Sequence, residues 1–138
     1  MAMVAIVGVM NRPQRDEQML AEAGVSLDRA LFPLLVLVGK FGPISVGELA
    51  DRVGRDYTTV SRQMAKLESQ GLILRQASQK DRRVTEAVAT DAGLAMNATI
   101  DAARERLAHR IFSQWDDGDV ETLARLMSRF AGELEGGD

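Results

Sequence analysis

Apolar residues recur at helical spacing in the middle of this chain. They fall three or four positions apart, which places them on one face of a helix, and the set consists of Tyr57, Val60, Met64 and Leu67. Just upstream, Ser45 is followed three residues later by Glu48, a pair typical of a capped helix start. We therefore predict one helix over about 46–53 and a second one from Tyr57 onward.

The turn between these two predicted helices is short. Gly54 can adopt the left-handed conformation that ends a helix, and Asp56 can cap the next helix through its side-chain oxygen. Two short helices joined by a glycine-containing turn are typical of a helix-turn-helix.

A predicted strand pair with a charged tip follows the second helix. Gly71 ends that helix, Leu72 opens the first strand, and residues 84–89 support the returning strand. The tip holds Lys80, Asp81, Arg82 and Arg83. The aspartate is in range to pair with one of the two arginines, and the spacing does not say which. This order of parts predicts a winged helix-turn-helix, which places one helix in the major groove of duplex DNA with the basic tip beside it.

The polar face of the second helix carries the residue types that a DNA groove requires. These residues are Thr58, Thr59, Ser61, Arg62 and Lys66. Hydroxyl groups donate to phosphates or base edges, and a guanidinium can bridge the O6 and N7 acceptors of guanine. Taken alone, such a face is more often just the solvated side of a helix. Because a capped helix precedes it and a basic wing follows it, we interpret it as a recognition helix.

The chain resembles the MarR family of bacterial transcription regulators. The matching residues occur in the family's order, and they are Glu48, Leu49, Ala50, Thr59, Val60, Ser61, Arg62, Leu67, Glu68, Gly71, Leu72, Arg75, Asp81, Arg82, Arg83 and the Thr90-x-x-Gly93 step. The wing departs from the pattern because it has Ser78-Gln79-Lys80 where an Asp-Pro pair usually precedes the aspartate, and Ala89-Thr90 replaces Leu-Thr.

This resemblance implies a mainly α fold with a small β-hairpin wing, in a single domain over 1–138. It implies a DNA-binding lobe over 27–90, flanked by dimerisation helices over 1–25 and 91–138. The function implied is sequence-specific binding of double-stranded DNA by a homodimer on a pseudo-palindromic operator, as a transcription regulator and repressor. The expected interface residues are Ile100, Leu107, Leu123, Met127 and Phe130. The alternative, in which the terminal helices pack only on the core of their own chain, stays open.

The resemblance also suggests a small-molecule sensor. A pocket between the dimer helices and the DNA-binding lobe would take a small anionic aromatic effector, and Phe32, Leu35 and Lys40 would border it. A core role is the stronger expectation for the two apolar residues.

The distribution of charge supports a DNA partner although the net charge is −3. Between Ile44 and Arg83 there are eight basic and five acidic residues, whereas the remainder has nine basic and fifteen acidic ones. Basic charge is thus concentrated in the predicted helix-turn-helix and wing. The chain has no cysteine, which excludes thiol-based redox sensing.

The flanking segments predict further helices. Residues 1–10 form an apolar run that we interpret as a packing helix, because it lacks the features of a targeting signal and is too short to span a bilayer. Ser26 is expected to cap a helix from Leu27 to about Lys40, with a bend or late start at Pro33. A long helix over about 91–115 and a final helix after the turn at 116–119 complete the chain. We expect a cytoplasmic protein without a membrane partner.

Catalysis finds little support in the sequence. His109 is the only histidine, and no phosphate loop, metal-binding cluster or activated nucleophile is recognisable. We therefore expect no enzymatic activity, cofactor or metal. The competing hypothesis is a winged-helix protein-interaction module that has lost DNA binding.

Overall fold

The computed structural model describes residues 1–136, so the last two residues of the predicted segment 91–138 lie outside the described residues. The fold is mainly α with a small antiparallel sheet, as the sequence predicts. The helices are α1 (Ala2–Met10), α2 (Pro13–Ala23), α3 (Phe32–Phe41), α4 (Val46–Val53), α5 (Tyr57–Ser69), α6 (Asp91–Phe112) and α7 (Asp117–Gly136). The strands are β1 (Ile44–Ser45), β2 (Ile73–Ala77) and β3 (Thr85–Ala89).

The helix-turn-helix is formed by α4 and α5, and its caps follow from local chemistry. The Ser45 hydroxyl accepts the Glu48 N–H at 3.1 Å, and Gly54 ends α4 at φ 66°. A carboxylate oxygen of Asp56 then accepts the Thr59 N–H at 2.9 Å at the start of α5. Each predicted cap is confirmed. The Glu48 side chain does not take part in the cap and accepts from Arg52 at 3.4 Å.

The predicted start of the helix before α4 is wrong. Ser26 caps no helix at Leu27; instead residues 28–31 form a turn in which Asp28 accepts the Ala30 N–H at 2.8 Å through its side chain. Helix α3 begins only at Phe32 and places Pro33 in its first turn, where a missing N–H breaks no helical hydrogen bond. The predicted late start at Pro33 is therefore confirmed.

The sheet has one strand more than the predicted hairpin. Its order is β1-β3-β2, and both pairings are antiparallel. In the hairpin Ile73 lies opposite Ala89 and Ala77 lies opposite Thr85, while the short β1 adds Ile44 opposite Ala87. The additional strand, β1, connects the wing to α4, because it pairs with β3 and α4 directly follows it.

Two clusters of buried side chains hold these elements. The larger one joins α3, α4, α5 and the sheet, and its most deeply buried members include Leu34, Leu35, Leu49, Val60, Met64, Leu67 and Ile73. The smaller one joins α2, the start of α3 and α6 through Leu20, Phe32 and Ile100. Ile100 is 0% exposed there, so the structure places it in the core and not on a surface that a second subunit could cover.

Residues 1–104 form one compact unit, and a second begins at Glu105. In the first unit, Thr90 starts α6: its N–H donates to the Leu72 carbonyl, its hydroxyl donates to the Gly71 carbonyl at 2.6 Å, and that hydroxyl accepts the Gly93 N–H at 3.1 Å. The Thr90-x-x-Gly93 step therefore connects the end of α5, the sheet and α6. In the second unit, the N–H groups of Asp119 and Val120 donate to the Asp116 carbonyl at the start of α7.

Candidate nucleic-acid interface

One side of α5 is exposed along most of its length. Thr58, Arg62 and Lys66 are four residues apart, and all three are exposed, whereas Val60 and Met64 on the other side are 0% exposed. We call these three residues the exposed stripe of α5. None of them makes a side-chain hydrogen bond or an ion pair within residues 1–136. The helix thus presents a polar, basic surface that the fold itself does not use.

Tyr57 does not belong to the buried face of α5, contrary to the sequence prediction. As the first residue of the helix it lies beyond the end of the core, and 59% of it is exposed. It therefore lies next to the exposed stripe and extends it by an aromatic ring with a hydroxyl group. Helical periodicity assigned it to the core because that pattern does not show where along a helix the packing stops.

The other two predicted recognition residues are less available. The Thr59 hydroxyl donates to the Asp56 carboxylate at 2.7 Å, so its proton is already used in the cap. The same bond, followed by the Thr59 backbone N–H, holds the pKa of Asp56 below its ordinary value. Ser61 is half-buried. We therefore assign Thr59 to the cap, and the exposed stripe and Tyr57 remain the best-placed groups for an external ligand.

The wing tip is held by Ser78, the buried polar residue of the hairpin. Its N–H donates to the Val84 carbonyl at 2.8 Å, and its hydroxyl accepts the N–H groups of Lys80 at 3.2 Å and Asp81 at 3.5 Å. In a turn, backbone N–H groups have no partner strand. A serine hydroxyl that accepts the N–H groups two and three residues further along supplies part of that missing hydrogen bonding. These bonds order the tip although the chain has no Asp-Pro pair before Asp81.

The structure decides which wing arginine is held. Arg83 donates through Nε at 3.1 Å and through Nη2 at 3.3 Å to the two oxygens of Asp81, which also accepts the Arg83 backbone N–H. The side-chain bonds, and then the backbone bond, hold the pKa of Asp81 below its ordinary value. Arg82 is exposed and makes no side-chain hydrogen bond or ion pair to residues 1–136.

Only half of the basic residues between Ile44 and Arg83 are available to a partner. Arg52 pairs with Glu48, Arg75 with Glu68, and Arg83 with Asp81, while Arg55 donates to Ala30 and Gln63. In the Glu68 pair the Arg75 backbone N–H, and then its side chain, lower the pKa of the glutamate. Within the described chain, the side chains without such partners are Arg62, Lys66, Lys80 and Arg82. The spacing of these residues in the sequence did not show which basic side chains are paired within the fold and which are not.

Apolar surface remains uncovered on helices of both units. In the first unit, α1 has no buried residue, and Val4, Ile6 and Met10 are each more than half exposed. In the second unit, α7 also has no buried residue: Met127 and Phe130 are exposed, and Leu123 is half-buried. Leu107, at the end of α6, is half-buried as well.

Two of the three residues predicted to border an effector pocket lie in the core. Phe32 and Leu35 are buried in the two core clusters, which confirms the expected core role. Lys40 is exposed, and its amino group lies 5.1 Å from the ring centre of Phe41. A cavity of about 480 Å³ opens elsewhere in the first unit, beside α2, and the residues around it include Leu20, Val25, Leu27 and Asp28.

None of the helices within 1–136 combines the length and apolar character that a membrane crossing requires. Within the same range, no three histidine, aspartate or glutamate side chains are arranged to hold a metal ion.

Comparison with known proteins identifies relatives in sequence and in fold. The model of the MarR family matches residues 27–85. An uncharacterised HTH-type transcriptional regulator, YxaD of Bacillus subtilis (strain 168), is 31% identical over 104 residues, which cover 75% of this chain and 73% of YxaD. A MarR family protein from Bacillus stearothermophilus has the same fold with a TM-score of 0.81 at 17% identity, over 97% of this chain and 92% of that one. A putative MarR family regulator from Listeria monocytogenes, solved with a 26mer DNA, gives a TM-score of 0.73 at 18% identity, over 98% and 95% of the two chains.

Proposed function

This chain belongs to the MarR family of transcriptional regulators, and we propose that it binds double-stranded DNA sequence-specifically as a homodimer and acts as a repressor. The observation that carries the proposal is the exposed stripe of α5. Thr58, Arg62 and Lys66 make no side-chain hydrogen bond or ion pair within the described residues, while Val60, Met64 and Leu67 on the opposite side of the same helix are fully buried. A helix fixed in this way presents its polar side chains in one orientation, as groove recognition requires.

The uncovered apolar helices support the homodimer. Soluble monomers rarely expose large contiguous apolar patches, yet both α1 and α7 consist of residues that the chain leaves largely in water. We propose a second copy of this chain as the partner that covers them. Leu107, Leu123, Met127 and Phe130 would lie in the contact, and we remove Ile100 from it. The assignment of 27–90 to DNA binding and of the flanking segments to dimerisation belongs to the same proposal.

The direct test is selection of bound sites from random duplexes. A symmetric dimer should select a pseudo-palindrome with half-sites about one helical turn apart. Affinity should fall linearly in log salt with a slope of about −5 to −7, because a dimer brings two copies of Lys66, Lys80 and Arg82, and of Arg62 if it contacts a phosphate. A protein-interaction module without DNA binding should select no sites and show no such slope.

Repression and its release by a small anionic aromatic molecule rest on family membership alone. Of the residues predicted for the effector pocket, only Lys40 is accessible. A reporter gene placed behind the selected operator, compared with and without the protein, would show whether binding represses or activates transcription.

We expect Arg62→Ala to weaken specific binding by about 1–3 kcal/mol and to relax preference at one base pair of each half-site, because we propose that the exposed guanidinium reads a base edge. Titration of the selected duplex and of its single-base variants measures both effects. Arg104→Ala removes the same charge from an exposed ion pair on α6 and serves as the control. Equal affinity of the Arg62 variant and the parent would remove α5 from recognition.

The two wing arginines should behave differently. Arg82→Ala should weaken binding by about 1–3 kcal/mol, and the loss should be larger on duplexes with a narrow, A-tract minor groove at the wing position. Arg83→Ala should cost affinity without this dependence on groove width, because Arg83 is held by Asp81 and shapes the tip. Titrations on A-tract and G·C-flanked operators measure the difference. The reverse pattern would show that Arg83 leaves Asp81 and enters the groove.

A further inference from the structure

Arg55 connects three separate segments of the first unit. It lies in the turn between α4 and α5 and is half-buried. Its Nη1 donates to the carbonyl oxygen of Ala30 at 2.8 Å and to the side-chain oxygen of Gln63 at 3.0 Å. Ala30 belongs to the turn before α3, and Gln63 lies in the middle of α5. One guanidinium therefore ties the helix-turn-helix to a part of the chain 25 residues away.

The turn that Arg55 contacts is itself ordered by Asp28. Asp28 accepts the Ala30 N–H through its side chain at 2.8 Å and the Leu31 N–H through its carbonyl at 2.9 Å. The next residue, Phe32, packs with Leu20 of α2 and Ile100 of α6 in the smaller core cluster. The position of the Ala30 carbonyl consequently depends on how α2, α3 and α6 pack.

The other acceptor lies where it can control the exposed stripe. Gln63 follows Arg62 directly, and an α-helix is rigid enough that a bond to one side chain restricts rotation of the whole helix about its axis. Hydrogen bonds from a charged donor are stronger than neutral ones, and the planar guanidinium can reach two acceptors at once. The contact with Gln63 thus restrains the direction in which Thr58 and Arg62 point.

We propose that Arg55 is a positioning residue that restrains the rotation of α5 beyond what its buried side imposes, and couples it to the packing of α2 and α6 through the turn at 28–31. The inference rests on the proposed function, since the rotation of α5 matters for DNA recognition. It assigns Arg55 no contact with DNA. A change in the packing of α2 against α6 reaches the recognition helix through this side chain.

The first test uses the selected operator and the variants Arg55→Ala, Gln63→Met and their combination. Each single change should weaken specific binding about tenfold, the order expected for a lost charge-assisted hydrogen bond. The double variant should be no more than about threefold weaker than the worse single one, because both changes remove the same contact. The salt slope should stay that of the parent. Arg55→Lys should resemble Arg55→Ala, because the lysine nitrogen keeps the charge but lies one bond closer to the backbone than Nη1, which makes both contacts.

Three results would overturn the proposal. A slope reduced by about 0.9 per subunit would mean that Arg55 contacts a phosphate. Full rescue by Arg55→Lys would mean that its charge alone matters. Additive losses in the double variant would mean that Arg55 and Gln63 act independently.

The second test needs no DNA and separates this inference from the proposed function. In the free protein, Arg55→Ala should speed amide hydrogen exchange about tenfold both in α5 and at Leu31, while Arg104→Ala should change neither. Unchanged exchange at Leu31 would refute the coupling even if the parent binds its operator. Absence of any operator would refute the proposed function and leave the exchange result standing on its own.

Discussion

Gly93→Ala should lower the free energy of unfolding by about 3 kcal/mol or more, because the new methyl group would overlap the backbone. A Cβ at this position would lie 2.1 Å from the Leu72 carbonyl oxygen and 3.1 Å from its carbonyl carbon. That oxygen accepts the Thr90 N–H, so it cannot move without disturbing the start of α6. Urea denaturation followed by far-UV circular dichroism measures the loss, at equal protein concentration for all variants.

Gly47→Ala provides the matched control on another helix. A Cβ at this position in α4 would meet nothing within 4 Å. Alanine costs less conformational entropy than glycine in a helix, so this variant should be about 0.5–1 kcal/mol more stable than the parent. If the two variants had similar stability, the close approach of α6 to Leu72 would not be a constraint on the fold.

Phe130→Asp should convert the protein to monomers. Phe130 is 45% exposed on α7, and in the proposed dimer its ring is covered by the second copy. A carboxylate buried there would lose its hydration without gaining a partner, which costs more than a small interface contact can offset. Light scattering after size exclusion should give the mass of one chain, 15.1 kDa, for the variant and twice that for the parent.

Ser128→Asp introduces the same charge on the opposite side of α7 and should leave the mass at that of the parent. Because Phe130 is substantially exposed in the single chain, the monomeric variant should keep its helical content, which circular dichroism checks. A parent that is itself monomeric would refute the dimer. A dimeric Phe130→Asp variant would refute the assignment of α7 to the contact.

Local chemistry predicted the helix-turn-helix well because its boundaries are set by neighbouring residues. Ser45 and Asp56 accept backbone N–H groups three positions on, and Gly54 and Gly71 take positive φ values of 66° and 75°. Such bonds form within one turn of helix. They depend little on the rest of the fold, so the sequence alone suffices to locate them.

The errors arose where a competing local turn or a distant contact decides the structure. Ser26 has the chemistry of a cap, but the turn organised by Asp28 occupies the segment in its place. Ile100 shares a helical stripe with Leu107, and only the packing of Leu20 and Phe32 against it shows that it is core. The two-residue strand β1 is too short to show an alternating pattern, since it exists through its pairing with β3.

The charged residues of the candidate site were found by type but could not be sorted by role. Arg82 and Arg83 are adjacent and chemically identical. Only the path of the backbone at the wing tip determines that Arg83 is the one that pairs with Asp81. Arg55 looks like any other cation of a basic segment until its bonds to Ala30 and Gln63 are known. Their roles depend on three-dimensional geometry.

The exposed stripe of α5 has a consequence for how regulators of this kind diverge. Because Thr58, Arg62 and Lys66 contribute nothing to the core, replacing them should alter stability by no more than about 0.5 kcal/mol. In the proposed function, mutations there are selected by the promoter that the protein recognises and scarcely by the need to stay folded. A duplicated gene would then acquire a new promoter through a few substitutions at these positions, with its scaffold inherited unchanged.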